Sequence, residues 1–111
     1  MALVIRKFTY HSSIKVSAAD LNLAKIGRKT CTIRLGTLKV SNEFVNLISG
    51  KNALRVRILS VETDKCFRDL GDEHAKREGF SSLNELRSDL ENYYGNVEPA
   101  QPVTIINFDK A

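Results

Sequence analysis

Apolar positions along this chain recur in two periods. Where they alternate with polar positions a strand is expected, and where they return every three to four residues a helix is expected. Leu3 to Tyr10 reads as a first strand, with Leu3, Ile5 and Phe8 as its core candidates. Ser17-Ala18-Ala19-Asp20 is a capping-box pattern with Asp in place of Glu. Ser17 would accept from free first-turn amides, and Asp20 suits the positive helix end. The helix predicted there carries Leu21, Ala24 and Lys25 to about Ile26, and Gly27 stops it by taking a left-handed backbone.

A strand over 30–36 follows. Thr30, Thr32 and Arg34 point one way, and Cys31, Ile33 and Leu35 point the other way, into a core. Lys29 belongs to the preceding turn, where alternation does not bind it, so it can lean over the same mouth as Thr32. An alternative stays open at this point: an amphipathic edge strand with a solvated polar face.

Glu43 to Ser49 carries Phe44, Val45, Leu47 and Ile48, and Gly50-Lys51-Asn52 is a tight-turn signal. Ala53 to Thr63 is the longest strand candidate. Leu54, Val56 and Ile58 alternate with Arg55 and Arg57, then the phase slips at Leu59, which predicts a β-bulge or a bent strand. Beyond Cys66 the period becomes helical. Asp72–Glu78 is expected to form a short helix ended by Gly79, and Ser82-Leu83-Asn84-Glu85 reads as a full capping box. It opens a helix striped with Leu83, Leu86, Leu90 and Tyr93 or Tyr94, closed by Gly95. Pro99 and Pro102 flank a loop, and Val103–Phe108 is a last strand apolar on both faces. This order predicts an α+β fold, a small β-barrel with helices packed on one side.

The 111 residues fit a single domain spanning 1–111. No apolar run approaches the roughly 20 residues of a membrane span. Arg6 and Lys7 interrupt the apolar N-terminal run, unlike a signal peptide. Cys31 and Cys66 are too few for a disulfide framework or a zinc knuckle. Reduced thiols and a cytoplasmic location without membrane contact are the expectation. Charge is unevenly placed. Residues 1–60 hold eleven Lys and Arg against two Asp and Glu, while residues 61–111 hold six against eleven. Either the first half builds a polyanion-facing surface, or the halves interleave in space and neutralise one another.

Two motifs then carry a family resemblance. Gly27-Arg28-Lys29-Thr30-Cys31-Thr32-Ile33-Arg34, followed by Glu73-His74-Ala75-Lys76-Arg77-Glu78-Gly79-Phe80 before a Ser-capped helix, resembles the ASCH domain. Their order, their spacing and the closing strand span most of the chain. The resemblance implies a PUA-like β-barrel, related to RNA-binding modules, whose mouth forms a basic cleft for RNA or a modified nucleoside. It differs from many members after Arg34, where Leu35-Gly36-Thr37-Leu38-Lys39-Val40 replaces a Gly-Asp turn and an acidic or proline-rich loop.

Some small bacterial members are similar to amidohydrolases that remove the acetyl group of N4-acetylcytidine. The resemblance places their catalytic lysine, threonine and glutamate on Lys29, Thr32 and Glu78. A threonine hydroxyl needs a base to take its proton. Lysine serves only if burial or a neighbouring cation lowers its pKa, and Arg28 and Arg34 are near in sequence. Glu78 could then protonate the leaving amine. Arg28, Lys29, Arg34, Arg55 and Arg57 are the candidate phosphate contacts of a binding module. His74, one turn before Glu78, could orient Glu78 or the ligand, or be a structural histidine. No metal site and no cofactor is expected, because His11, His74, Cys31 and Cys66 do not form a ligand cluster. A ribonuclease is a third reading, implied only by relatives.

Overall fold

The computed structural model describes residues 13–111, and the strand predicted at Leu3–Tyr10 lies outside them. The order is β1 (Ser13–Lys15), α1 (Ala18–Lys25), β2 (Cys31–Leu35), β3 (Phe44–Ser49), β4 (Asn52–Cys66), α2 (Asp72–Glu78), α3 (Leu83–Tyr94) and β5 (Pro102–Lys110). A 3-10 turn at Phe67–Asp69 leads from β4 toward α2.

The five strands form one sheet in the order β1-β3-β4-β5-β2. Every pairing is antiparallel except β1 with β3. The sheet curls into a half-barrel with three helices packed alongside. The curl brings its two end strands together, since Arg34 Nη2 on β2 donates to the Lys15 carbonyl on β1 at 2.6 Å. Strand β4 spans fifteen residues and bends where the apolar phase slips. Its register on β5 shifts between Ile58 and Ser60, and the extra Leu59 is exposed. A second shift, between Glu62 and Lys65, falls in a polar stretch where no apolar phase marks it.

Two core clusters divide the interior. Cys31 and Ile33 of β2 and Val103 and Ile105 of β5 pack with Ala75, Leu86 and Leu90 from α2 and α3. Leu21 and Ala24 of α1 pack with Val45, Leu47, Val56 and Phe108. Alternation on β2 therefore sends Cys31 and Ile33 into the first cluster, as the pattern predicts. Thr32, on the opposite face, is also buried, at 3% exposure, because the curled sheet encloses that face. The face is not a solvated edge: Thr32 pairs there with the buried Ile106 of β5.

The helix ends follow their capping residues. The Ser17 hydroxyl accepts from Asp20 N at 3.1 Å, and α1 hands over to Gly27 at φ +79°. Helix α2 has the predicted bounds. The box expected at α3 is only half formed. Ser82 Oγ accepts from Glu85 N at 3.2 Å, but Glu85 accepts from Ser81 N at 3.0 Å and from the Ser81 hydroxyl instead of from Ser82. The Ser81 hydroxyl offers a second donor, so the carboxylate gains two bonds by reaching one residue further. The predicted apolar stripe also ends early. Leu86 and Leu90 are buried, whereas Tyr93 is 69% exposed. The last turn of α3 reaches a cleft rim, and its tyrosines edge that cleft instead of extending the core.

Candidate functional site

The segment between α1 and β2 is held at both ends. Arg28 N and Lys29 N donate to the Leu23 carbonyl of α1 at 2.9 and 3.1 Å, and Thr30 N donates to the Arg77 carbonyl of α2 at 2.7 Å. Gly79, at φ +94°, caps α2 against this segment. A Cβ there would stand 3.0 Å from Leu23 Cδ1 and 3.7 Å from the Arg28 carbonyl. The positive φ therefore favours glycine, and any Cβ would also press on the Leu23 methyl. Arg77 anchors the same turn to the sheet. Its Nη1 donates to Asn107 Oδ1 at 2.7 Å, and Asn107 Nδ2 donates to Ser60 and Glu62 at 3.0 and 2.9 Å beside the β4 bulge.

These ties set Lys29 and Glu78 side by side. Lys29 is 2% exposed and Glu78 6%. The Lys29 ammonium donates to one oxygen of the Glu78 carboxylate, and Ile33 N donates to the other, Oε2, at 2.9 Å. Thr32 lines the same cleft, and its hydroxyl makes no hydrogen bond among the described residues. The structure thus brings Lys29, Thr32 and Glu78 together although Lys29 and Glu78 are 49 residues apart. Burial pushes the Lys29 ammonium below its ordinary range, and Arg34 adds to that, while Asp20 and Asp89 oppose it. Burial is also the largest cause that raises the Asp89 carboxyl, with the nearby Asp20 adding to it.

The cleft was expected to be basic, and it is not. Lys15, Lys29 and Arg34 face Asp20, Glu78 and Asp89, so the described charges balance. The physical reason is that the cations of the first half meet Asp20 of that same half and Glu78 and Asp89 of the second. The free space is about 30 Å³, roughly the share of a single water.

Arg28 does not share this cleft. It lines a separate cavity of about 520 Å³ on the other side of the segment, with Thr30, Lys76, Arg77 and Ser81. Arg55 and Arg57 join neither cavity. They lie on β4, where Arg55 sits 4.7 Å above the Phe44 ring and Arg57 pairs with Glu43 at 3.2 Å among exposed side chains. Alternation put them on one face of their strand, but that face belongs to the β3–β4 end of the sheet. His74 uses its Nδ1 to accept from Gly71 N at 2.9 Å, closing the start of α2, and lines neither cavity. Cys31 is a buried free thiol, pushed up to about 11 chiefly by burial. Among the described residues no three His, Cys, Asp or Glu side chains group to hold a metal ion. No described helix is long and apolar enough to cross a membrane.

Asp20 and Asp89 are cleft residues that the sequence reading passed over. Asp20 was accounted for as a helix-start residue. Asp89 had a signal: it falls on the Leu86–Leu90–Tyr93 stripe, and a carboxylate in an apolar stripe marks a polar pocket.

No protein-family model matches the sequence, and no curated protein matches it. Solved structures do match in shape. An ASCH domain from Lactobacillus crispatus JV V101 superposes with a TM-score of 0.70 at 16% identity, covering 88% of this chain and 77% of that one. The hypothetical protein PH0355 also gives 0.70, at 19% identity over 89% and 97%. Protein EF3133 from Enterococcus faecalis V583, of family DUF984, gives 0.60 at 18% identity over 81% and 65%. The likeness is one of fold, and the chain has an α+β fold similar to that of this ASCH domain.

Proposed function

We propose that the cleft recognises a nucleoside carrying an acylated exocyclic amine and hydrolyses that amide, with N4-acetylcytidine as the leading substrate. The observation that supports this reading most is the buried Lys29–Glu78 pair beside the unbonded Thr32 hydroxyl. A buried ion pair of this kind contributes little to stability compared with an apolar pair. Its value lies in proton transfer, because one proton can sit on either partner. With that proton on Glu78, Lys29 is a neutral amine and can accept from Thr32.

The steps then balance. Thr32 Oγ attacks the acyl carbon as its proton passes to Lys29. The carbon–nitrogen bond breaks, and Glu78 gives its proton to the departing amine, leaving the nucleoside free and the acyl group on Thr32. Water attacks that ester, the proton held by Lys29 returns to Thr32 Oγ, Glu78 takes one proton from the attacking water, and acetic acid leaves, losing its own proton to solvent. Burial favours the neutral form of Lys29 that this sequence needs.

Incubation with N4-acetylcytidine and chromatography for cytidine tests the reading. Turnover should be the same with and without a chelator. Lys29→Arg keeps the charge but cannot serve as a base at neutral pH, so turnover should fall by about two orders of magnitude or more. Full turnover in Lys29→Arg, or none in the unaltered protein, would overturn it.

A further inference from the structure

We propose that the cavity on the far side of the Gly27–Thr30 segment is a phosphate site, so the protein also takes its nucleoside as a nucleotide or within an RNA strand. This deepens the nucleoside reading and rests on it for the base, but the phosphate contact stands on its own geometry.

Consecutive residues of one segment face opposite cavities. Lys29 and Thr32 line the small cleft, while Arg28 and Thr30 line the large cavity. The end of α2 divides in the same way, with Glu78 on one side and Lys76 and Arg77 on the other. A ligand seated in the cleft therefore has the second cavity as its neighbour across a wall one peptide segment thick.

Charge separates the two. In the cleft three cations, Lys15, Lys29 and Arg34, share the lining with three carboxylates, Asp20, Glu78 and Asp89. In the cavity the Arg77 guanidinium is matched, by Glu73 at 3.0 Å and Glu62 at 3.7 Å. Arg28 and Lys76 form no ion pair among the described residues, and both are exposed. The cavity's one carboxylate, Glu85, is bonded to the amide and hydroxyl of Ser81. Two unpaired cations thus reach into a cavity of about 520 Å³ from two different elements, with the Thr30 and Ser81 side chains between them. That arrangement suits a group with several anionic oxygens, and phosphate is the one that accompanies a nucleoside.

A labelled single-stranded RNA octamer, followed by fluorescence anisotropy over a salt series, tests the site. Arg28→Gln/Lys76→Gln should bind at least about tenfold more weakly at low salt. Its slope of log affinity against log salt should flatten by about 1.4, two contacts at roughly 0.7 each for a single strand. The charge-matched Lys39→Gln/Lys51→Gln pair, which lines neither cavity, should stay within about twofold. Unchanged binding in the first double variant, or an equal loss in the second, overturns the proposal. Competition with inorganic phosphate, cytidine 5′-monophosphate and unlabelled octamer identifies the source. Displacement by the first two supports a terminal phosphate, and displacement by the octamer alone supports a phosphodiester. Failure of N4-acetylcytidine turnover with the Arg28/Lys76 effect intact would remove the hydrolase reading and leave the phosphate site. Turnover without that effect would do the reverse.

Discussion

The two sides of the Gly27–Thr30 segment use the same kinds of residue to opposite ends. On one side a lysine is buried, paired with a glutamate and enclosed until about 30 Å³ remains. On the other, an arginine and a lysine stand exposed over a cavity of about 520 Å³, without an ion pair among the described residues. The first arrangement suits proton movement, because desolvation brings the two protonation states of Lys29 closer in energy. The second suits holding an anion, because solvated cations cost little to keep and release counterions on binding. Adjacent residues reach these two environments because backbone bonds to Leu23 and Arg77 fix which way each one turns.

The largest expected effect comes from splitting the buried pair. Lys29→Met leaves the Glu78 carboxylate buried with Ile33 N as its remaining partner, and should cost about 3–5 kcal/mol. Glu78→Gln should cost less, since burial already favours a neutral Lys29. The double variant Lys29→Met/Glu78→Gln should recover part of the loss, with a coupling of at least about 1 kcal/mol. Arg28→Met, one residue away, should stay within about 0.5 kcal/mol. Urea midpoints measure all four. If the losses at 29 and 78 simply add, the pair is not coupled and the contrast between the two sides fails.

A second test separates chemistry from packing on neighbouring positions of β2. Ile33 is 3% exposed in the cluster with Val103 and Ile105, so Ile33→Ala should cost about 2–5 kcal/mol. Thr32 is equally buried, but its hydroxyl has no partner among the described residues, so Thr32→Ala should cost far less stability. It should nevertheless lower N4-acetylcytidine turnover by about two orders of magnitude or more, as expected for the nucleophile. The opposite ranking in thermal unfolding would mean that the strand presents its faces the other way round.

What could be read in advance was local. The slip at Leu59, the stop at Gly79 and the cap at Ser17 each depend on a few adjacent residues, and each is present in the fold. Lys29, Thr32 and Glu78 came from resemblance, because no periodicity relates positions 49 apart. The balance of charge in the cleft, the separate placing of Arg28, and the distance of Arg55 and Arg57 from both cavities depend on how the sheet curls. That curl is set by two register shifts in β4, one of which leaves no mark in the apolar pattern. Glu85 shows the limit at short range too, since the expected box pattern was present and the carboxylate chose Ser81.

The smallest expected effect is a pH dependence that should touch both sides at once. Helix α2 carries Glu78 toward the cleft and Lys76 toward the cavity, and its first turn is closed by Gly71 N donating to His74 Nδ1. A protonated Nδ1 cannot accept that bond, and a cation near the helix start opposes the macrodipole. Burial holds the His74 imidazole below its usual value of 6.5, and Arg77 and Lys65 act in the same direction, while Glu73 and Glu62 oppose them. The unfolded chain therefore takes up this proton first as pH falls. The contribution of neutral His74 is complete above about 6.5 and declines as pH drops toward its lower folded value. His74→Gln keeps an acceptor at the third helical position, a favoured residue there, and removes the titration. Stability measured by urea between pH 7 and 5 should fall more steeply in the unaltered protein than in His74→Gln. Turnover and strand affinity should weaken together over that range if α2 loosens as a unit. An unchanged slope in His74→Gln would show that the pH response arises elsewhere.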